Sequence, residues 1–594
     1  MPVPAVARVA QAVDLLRPSL GAAALPVTYR LVYAELARQA GVEIPVTAAV
    51  GDLWDGPPDE LTSQVQGLLL TDGTPGGDDV RALGDLHEAL LRRPDRRAAG
   101  AYFTPQPLIE LLLDEALEPA LDGAEDPADV TVCDPACGSG LFLVAAARRL
   151  LGRGVPAERV LGQCVHGVDR DPAAVELSRV SLWLTCCSFA APAHQPDVSL
   201  VVRDALLDTD WVRMFDVVVG NPPFLNRMQR RTAPEAGDAR RLVELSGGVV
   251  RPYTDVSAAF LHRAVSWTRP RGRVALVQPQ SVLSARDAAG VRADVSRRCS
   301  LEALWAADRP VFDAGVLTCA VVLRRDAPQG AVKRWQGAGC EAGDEVAPGD
   351  LSGTWSRLVA DLLGVPSFEL GRTRTIGDVA DCTADFRDQY YGLAPHVREA
   401  ADCPEGAPLV TAGMVDPALN LWGARPTRFL KRSWAAPVID LASLADDQRL
   451  ARWAASRLVP KIVVGTQGRV VEAVVDEDGA WLPSVPVITV VPRDVSAWHL
   501  LAALLAPPVS AYAAATYAGS GLTMHAIKLS ARQVGDLPLP GDTAAWDEGA
   551  RLAWLAQQEP DRRTERLADL GSVMCTAYGV AADEVLPWWL ERLR

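Results

Sequence analysis

Between residues 99 and 325, short apolar runs alternate with stretches of helical periodicity. In chain order, the apolar runs are VTVCD, VHGVD, SLVVRD, DVVVGN, RVALVQ and LTCAVVLRR. Several are followed by patterns with apolar residues three and four positions apart, such as GLFLVAAARRLL and PAAVELSRVSLWLTCC. Apolar strands that alternate with helices are typical of a mainly parallel sheet covered on both faces. The pattern therefore predicts an α/β domain over residues 99–330.

Four successive predicted strands end in a polar side chain. The first three end in Asp134, Asp169 and Asp204, and the fourth ends at Asn221, before two prolines that exclude helix and central strand. The carboxyl ends of parallel strands meet at one edge of a sheet, where open α/β sheets bind ligands. A single terminal aspartate is a common strand end or helix cap. The series of four indicates a ligand site along this edge.

The turn after the first predicted strand, DPACGSG, carries two glycines and an acid but lacks the full GxGxxG of dinucleotide folds. The glycines allow a sharp turn and a close approach of a ligand. A carboxylate at Asp134 would repel a pyrophosphate but suits a cationic ligand. S-adenosyl-L-methionine is such a ligand, because it carries an ammonium and a sulfonium. For the turn taken alone, an ordinary strand–turn–helix corner is the alternative interpretation.

The ordered motifs DPACGSG, GVDRDP, RDALL and NPPF resemble those of the amino-group DNA methyltransferases, specifically the N6-adenine branch of the gamma arrangement. Upstream, GAYFTPQPLIELL resembles the family segment that closes over the methionine end of the cofactor. The resemblance covers residues 84–325 well. It is weaker over 370–545, where KIVVGTQ and GDLPLP look like parts of the target recognition domain of single-chain enzymes.

This resemblance implies a multidomain α/β protein with a Rossmann-like methyltransferase domain that uses S-adenosyl-L-methionine. The implied organisation is an N-terminal helical domain (1–98), the catalytic domain (99–330), a linker (331–369), a mixed α/β target recognition domain (370–545) and a C-terminal helical segment (546–594).

The resemblance also assigns roles to individual residues. It implies that Asp169 holds the ribose of the cofactor and that Asp204 and Ala205 contact its adenine. The implied cofactor-binding residues are Thr104, Asp134, Ala136, Gly138, Gly140, Asp169, Asp204 and Ala205. The implied catalytic residues are Asn221, Pro222, Pro223 and Phe224.

The NPPF motif suits methyl transfer to an exocyclic amine, whose lone pair is delocalised into the ring. The side-chain oxygen of Asn221 and the carbonyl of Pro222 are acceptors for the two N–H groups, and they would stabilise the positive charge that develops on nitrogen. The prolines fix these acceptors in advance. Phe224 can stack on the target base. Cys137 is interpreted as a small residue in a tight turn, because direct displacement needs no covalent intermediate.

An amine inside a duplex is inaccessible, so its base must flip out and the protein must hold the DNA backbone. Two basic clusters are candidates for this contact, and a solvated arginine-rich surface is the alternative for the first. Phe312 is a candidate for the second face of a base sandwich, although a phenylalanine before a strand is usually core. The first cluster is Arg227, Arg230 and Arg231, with Arg240 and Arg241 further on, and the second is Arg425, Arg428, Lys431 and Arg432 in RPTRFLKR.

We therefore expect a site-specific DNA adenine-N6 methyltransferase of a restriction–modification or phage-defence system, acting on double-stranded DNA. The alternatives are an RNA or protein-glutamine methyltransferase with the same motif, or a DNA-binding defence component whose methylase domain senses rather than catalyses. A net charge of −15 leaves room for a local basic cleft. Eleven scattered cysteines without a CxxC pair suggest no metal site and fit a cytoplasmic setting. We see no spanning segment and no nuclease or helicase motif, so cleavage would come from partner proteins of such a system.

Overall fold

The computed structural model describes Thr28 and residues 104–593, apart from gaps at 190–197, 209–212, 225–235, 313–315, 372–373, 386 and 518–525. The chain divides into two compact units, Met1–Thr354 and Trp355–Arg594. The N-terminal helical domain expected over residues 1–98 lies outside the described residues, Thr28 excepted.

A nine-stranded sheet forms the centre of the first unit, in the order β3-β2-β1-β4-β5-β7-β6-β8-β9. Strands β3, β2, β1, β4 and β5 are parallel to their neighbours, and β7 lies antiparallel between β5 and β6. The strands are β1 (Val132–Asp134), β2 (Val165–Asp169), β3 (Leu200–Val202), β4 (Phe215–Gly220), β5 (Thr268–Pro279), β6 (Cys299–Ala306), β7 (Thr318–Arg325), β8 (Val332–Gln336) and β9 (Glu341–Val346). The expected α/β class is confirmed.

Helices cover both faces of this sheet. Because side chains alternate between the faces of a strand, Val217 and Val219 of β4 share one face, where they join the core formed with the first and third helices. The seventh helix packs against β4 and β5. The helices are α1 (Gln106–Ala116), α2 (Glu118–Asp122), α3 (Leu141–Gly152), α4 (Ala157–Arg159), α5 (Pro172–Phe189), α6 (Ala236–Leu245), α7 (Val256–Trp267) and α8 (Ala289–Arg298).

Strands β1 and β4 are neighbours, although β2 and β3 separate them along the chain. The register pairs Cys133 with Val218, which brings Asp134 beside the end of β4. A Cβ added at Gly220 would lie 2.5 Å from the Asp134 Oδ1 atom, so only glycine fits there without displacing the carboxyl group. The chain reverses its direction of strand addition between β1 and β4, and a crevice at such a switch point is the usual ligand site of open α/β sheets.

The linker expected over 331–369 is not a separate segment. Strand β8 pairs in parallel with β6, with Trp305 opposite Trp335, and β9 closes the edge of the sheet. The indole Nε1 of Trp305 donates to the Gly337 carbonyl at 2.9 Å. The units divide at Thr354, and Ser356 donates to the Thr516 carbonyl at 2.6 Å within the second unit. The edge hairpin was missed because β9, EAGDEV, is largely exposed and has no apolar pattern.

The second unit contains two four-stranded sheets, ordered β10-β22-β18-β20 and β11-β17-β12-β21, and three two-stranded ribbons. The sheet strands are β10 (Ala380–Ala384), β11 (Val397–Glu399), β12 (Ala407–Val410), β17 (Pro437–Ile439), β18 (Lys461–Gly465), β20 (Ala473–Asp476), β21 (Leu482–Pro483) and β22 (Val487–Pro492). The ribbon strands are β13 (Val415–Asp416), β14 (Leu419–Asn420), β15 (Thr427–Phe429), β16 (Arg432–Trp434), β19 (Gln467–Gly468) and β23 (Ile527–Lys528). This mixed α/β content agrees with the expectation for 370–545.

Helices of the second unit pack mainly against the first of these sheets. They are α9 (Ile376–Val379), α10 (Arg387–Gly392), α11 (Leu441–Leu444), α12 (Gln448–Arg457), α13 (Ala497–Leu505), α14 (Pro507–Tyr517), α15 (Ala531–Gly535), α16 (Thr543–Gln558), α17 (Arg563–Tyr578) and α18 (Ala582–Arg592). The C-terminal segment expected to be helical over 546–594 forms α16 to α18. Their residues Trp546, Leu570 and Trp589 belong to the same core as Ile462 of β18, so this segment is part of the second unit.

Within the described residues, no single helix has the length and apolar composition needed to cross a membrane. The pair α13 and α14 passes that test only when taken together, and the two helices are bent by 60° where they meet. Their side chains are largely buried in the core of the second unit.

Candidate active site at the carboxyl edge of the first sheet

Asp134 ends β1 with its carboxyl group buried. The side chain is 2% exposed, and its Oδ1 accepts from the Ala136 N–H at 3.0 Å. Burial raises the pKa of Asp134 to about 8, and the nearby charge of Asp169 adds to the rise. A cation placed beside this group would favour its ionised form, so the environment fits a positively charged ligand.

The turn after Asp134 is held from two sides. Gly138 and Gly140 have φ of 52° and 84°, in the left-handed region that favours glycine. The Gly138 N–H donates to Asp169 Oδ2 at 2.9 Å, while the Ser178 hydroxyl of α5 donates to the Gly138 carbonyl at 2.6 Å. A Cβ at Gly140 would lie 3.0 Å from Ser178 Oγ, whereas one at Gly138 would meet no described atom within 4 Å. The turn is thus packed on one side and open at Gly138, where a ligand can approach.

Asp169 and Asp204 both organise the backbone that follows their strands. Asp169 Oδ1 accepts from the Asp171 N–H at 2.9 Å, and burial raises its pKa. Asp204 Oδ1 accepts from the N–H groups of Leu206 and Leu207 at 2.9 and 3.1 Å. An ionised carboxylate offers about four acceptor positions, so these bonds leave capacity for ligand hydroxyl or amino groups. The capping function and the expected ligand contacts are therefore compatible.

Asn221 follows β4 with its side-chain amide held by Thr104. Its Nδ2 donates to Thr104 Oγ1 at 3.0 Å, and Thr104 is 3% exposed. Within the described part of the chain, the buried Oδ1 of Asn221 has no hydrogen-bond partner. A buried acceptor without a partner costs about 1–3 kcal/mol, which a donor from a substrate would offset. The structure thus joins Thr104, expected only to wall the cofactor, to the expected catalytic amide.

Phe224 and Phe312 meet at the same edge. Their ring centroids lie 6.3 Å apart, and the ring planes are inclined by 86°, which is an edge-to-face contact. Phe312 is 5% exposed and belongs to the core, whereas Phe224 is partly exposed. Two parallel faces would be needed to sandwich a base, so this arrangement supports the expectation for Phe312 as core and leaves the Phe224 face for stacking.

Cys137 lies inside the turn and is 5% exposed. Burial, followed by the charges of Asp169 and Asp134, raises the pKa of its thiol well above the usual range. The thiol therefore stays protonated at neutral pH, as expected for a residue that packs rather than attacks.

The two basic clusters are unequally described. Arg227, Arg230 and Arg231 lie outside the described residues, while Arg240 and Arg241 are exposed on α6. In the second unit, Arg425, Arg428, Lys431 and Arg432 are all exposed. The last three belong to the β15–β16 hairpin, whose tip residues Leu430 and Lys431 both have positive φ, 50° and 67°.

Along β16, Arg432 stacks over the Trp434 ring at 4.8 Å to the centroid. The Leu430 N–H donates to the Tyr390 hydroxyl at 3.0 Å, which fixes the hairpin tip to α10. The second cluster is therefore a braced, exposed structure.

The strand order, the antiparallel β7 and the glycine turn after β1 define the first unit as a Rossmann-like methyltransferase fold. Residues 78–336 match the model of the family described as N-6 DNA Methylase.

Curated relatives share part of their length with this chain. The methylase subunit of the type I restriction enzyme MjaIX from Methanocaldococcus jannaschii is 25% identical over 211 residues, which cover 35% of this chain and 34% of that protein. The adenine-specific methyltransferase PglX from Streptomyces coelicolor is 32% identical over 157 residues, covering 23% of this chain and 13% of that protein. The chain spans about a third or less of the length of these two relatives.

Among solved structures, the type IIL restriction-modification enzyme MmeI in complex with DNA matches with a TM-score of 0.62 and 14% identity. The match covers 100% of this chain and 99% of that chain. At this identity the likeness is one of fold, and it extends over both units.

Proposed function

We propose that this chain is a site-specific DNA adenine-N6 methyltransferase of a restriction–modification or phage-defence system, with S-adenosyl-L-methionine as its methyl donor. The observation that carries the proposal is the buried Oδ1 of Asn221. It has no hydrogen-bond partner among the described residues and lies next to a glycine turn and a buried carboxyl group on neighbouring strands. Methylation of an amine requires a hydrogen-bond acceptor for the amine beside a site that binds a cationic methyl donor.

The residues at the edge of the sheet fit the cofactor. Asp134 would face its positive charge, the open side of Gly138 would admit its methionine part, and Asp169 would accept from its ribose. Asp204 and Ala205 would contact the adenine, on the turn that Asp204 caps. Thr104, Ala136 and Gly140 complete the proposed set. The bound cofactor supplies an electrophilic methyl group on a sulfonium.

Asn221 and Pro222 would accept from the two N–H groups of the target amine. These bonds direct the nitrogen lone pair toward the methyl group and stabilise the positive charge that develops on nitrogen. Pro222 and Pro223 hold the backbone, so the acceptors need no reorganisation at the moment of transfer. Phe224 would stack on the base at about 1–3 kcal/mol.

Thr104 is proposed as a positioning residue that acts through Asn221. Its hydroxyl accepts from Nδ2 and so directs Oδ1 away from the bond, into the position where the substrate amine donates. Since Thr104 directly precedes Pro105 and α1, the orientation of the amide depends on a segment far from β4 in sequence.

The proposed substrate is duplex DNA with the target adenine flipped out of the helix. The exposed basic hairpin of the second unit supports a long polyanionic substrate. Partner proteins of the same system would supply cleavage. Methylation of RNA or protein by the same motif, or cofactor sensing without methyl transfer, are outcomes that the following experiment separates from the proposal.

The test compares cells that carry the wild-type protein with cells that carry Asn221→Ala, by sequencing modified bases in their DNA. We expect N6-methyladenine at one recurrent sequence in the wild type and none in the variant, with cofactor binding retained in both. Purified wild-type protein with tritiated cofactor is then offered duplex DNA, tRNA and protein extract. Label in tRNA or protein with none in DNA would overturn the proposal, as would an Asn221→Ala variant that methylates at the wild-type rate.

A further inference from the structure

An exposed tyrosine is presented on a closed turn that the proposed reaction does not use. The turn runs from Arg251 to Thr254, and the Thr254 N–H donates to the Arg251 carbonyl at 3.0 Å. Pro252 fixes the backbone at its first central position. The Arg251 N–H donates back to Thr254 Oγ1 at 2.9 Å. Tyr253, at the second central position, is 69% exposed.

This turn is fastened to the loop that follows β5. The Thr254 hydroxyl donates to the Asp287 carbonyl at 2.6 Å. A Cβ at Gly290 would lie 2.6 Å from the Val249 carbonyl oxygen, so the two backbones touch. The turn is therefore held at both its ends and its base, and the tyrosine ring stands out from a rigid support.

The topology puts this turn on the same edge as Asn221. Strand β4 ends at Gly220, and the chain crosses over through α7 to the parallel β5, so α7 begins at the carboxyl edge. The Arg251–Thr254 turn directly precedes α7. Arg286 lies on the loop after the carboxyl end of β5, next to the Asp287 carbonyl that anchors Thr254.

Exposed arginines lie on this turn and on the loop that anchors it. Arg251 and Arg286 are both exposed. Of the nearby acids, Asp255 caps α7, accepting from the N–H and hydroxyl of Ser257 at 2.9 and 2.7 Å, and Asp287 is half-buried. A rigidly held aromatic ring, with one exposed arginine on its own turn and another on the adjoining loop, matches the surfaces that combine base stacking with phosphate contacts.

We propose that Arg251, Tyr253 and Arg286 form a duplex-DNA contact in which the tyrosine ring stacks on a base exposed when the target adenine leaves the helix, and the arginines contact flanking phosphates. This inference rests on the proposed function. It assigns to the methyltransferase unit a contact that lowers the cost of base flipping, separate from the contacts with the flipped base itself.

The test uses the full-length protein and two duplexes that carry the methylated sequence mapped for the wild type. One duplex is fully paired, and the other has an abasic position opposite the target adenine, so that little pairing must be broken. We expect Tyr253→Ala to lower kcat/KM on the paired duplex roughly ten- to a hundredfold and to lose much less on the abasic duplex. Tyr253→Phe keeps the ring and should behave as wild type on both.

The proposed phosphate contacts of the two arginines are tested by the salt dependence of DNA affinity. Arg251→Ala and Arg286→Ala should each reduce the slope of log affinity against log salt concentration by about 1. Arg251 contributes only backbone atoms to the turn, so its substitution leaves the turn bonds in place. Arg271→Ala is the matched control, because Arg271 is exposed near the start of β5, at the opposite edge of the sheet, and should leave the slope unchanged.

Cofactor titration establishes that each variant is folded. Equal loss of Tyr253→Ala on both duplexes, or no loss on either, would overturn the stacking assignment. If Tyr253→Ala fails to fold, Tyr253→Phe and the salt slopes decide, and unchanged slopes in both arginine variants would refute the contact. A wild-type protein that methylates no DNA would instead defeat the proposed function on which this inference rests.

Discussion

Thr104 and Asn221 are 117 positions apart in sequence, yet one hydrogen bond joins them at the edge of the sheet. The bond matters because an amide side chain can present either its oxygen or its nitrogen to a pocket. With Nδ2 engaged by Thr104, the group left for a substrate is the acceptor. In this arrangement the threonine hydroxyl holds the amide with its oxygen available to a substrate.

Substituting Thr104 tests this directly. Thr104→Val keeps the shape but removes the acceptor, so the amide loses its orientation, and we expect the single-turnover methylation rate to fall about tenfold, in line with one lost hydrogen bond. Cofactor affinity should change less than the rate does, because the Thr104 hydroxyl is engaged by the Asn221 amide.

Thr104→Ser retains the hydroxyl and should restore most of the rate. The opposite division, weaker cofactor binding with an unchanged rate, would mean that Thr104 acts on the cofactor and not on Asn221.

Asp134 predicts a pH dependence of cofactor binding. Burial holds its pKa at about 8, far above its ordinary 3.8, so the free protein below pH 8 keeps this carboxyl protonated and loses stability as pH rises toward that value. A cationic ligand favours the ionised form, so binding below pH 8 releases a proton and affinity should rise with pH until about 8. Asp134→Asn should bind more weakly.

Calorimetric titration in two buffers of different ionisation enthalpy counts the released proton. The asparagine variant should release fewer protons at the same pH and show a flatter affinity profile. A wild-type protein whose affinity and proton release match those of the variant across this range would show that Asp134 does not face the charge of the cofactor.

For single residues, the sequence predicts where a side chain lies in an element better than it predicts which groups that side chain contacts. Asp134, Asp169 and Asp204 were placed at strand ends from the apolar runs before them, and the structure has them there. Ser178 was not singled out, because a serine in the middle of a helix carries no pattern. Its contact with the Gly138 carbonyl exists only once α5 packs on the turn.

Among the elements, the β15–β16 hairpin combines exposed charge with strained backbone. Its two tip residues, Leu430 and Lys431, both adopt positive φ, which a two-residue hairpin turn requires but which Asn and Gly accept more easily. Such strain costs of order 1–3 kcal/mol per residue and is concentrated at ligand-binding sites. The hairpin therefore combines a strained tip with exposed basic side chains, as ligand-binding sites often do.

Removing those side chains should weaken DNA binding without affecting the cofactor site. We expect the triple variant Arg425→Ala, Arg428→Ala, Lys431→Ala to lower duplex affinity and to reduce the salt slope by about 1 for each lost phosphate contact. Arg432 is left in place because it packs on Trp434. Fluorescence anisotropy with labelled duplex at several salt concentrations measures both quantities.

Arg532→Ala is the control, since its side chain is 73% exposed on α15, away from the hairpin in sequence. The assignment of the hairpin to DNA would be abandoned if the triple variant and the control had the same salt slope.

The sequence predicted the elements of the first unit unevenly. Strands β1, β2, β3, β4, β5 and β7 were found from apolar runs. Strand β6 was not predicted, although it is largely buried, because Ser300 and Glu302 interrupt its apolar run. Strands β8 and β9 were assigned to a linker, since an edge hairpin half in solvent leaves no such run. An uninterrupted apolar run is therefore the feature that makes a strand easy to recognise from sequence.

For the whole molecule, motif order predicted the fold class, while the boundary between units had to come from the structure. The loops around residue 350 are rich in glycine and aspartate, which indicates a linker but gives no point of division. The sequence also did not predict that the C-terminal helices pack into the core of the second unit. An amphipathic pattern shows that one face of a helix is buried, but not which element covers it.

The sheet order has a consequence for how such chains diversify. Apart from Thr104, the proposed cofactor residues lie on strands β1 to β3 and the turns after them, within residues 132–208. The base-binding motif begins only after β4, which starts at Phe215. The two sets of residues meet in space but are not interleaved along the chain. A genetic recombination event between residues 205 and 215 would therefore join the cofactor-binding half of one ancestor to the base-binding half of another. Such a chimera would still have to satisfy the close approach of Gly220 to Asp134 and the hydrogen bond between Thr104 and Asn221.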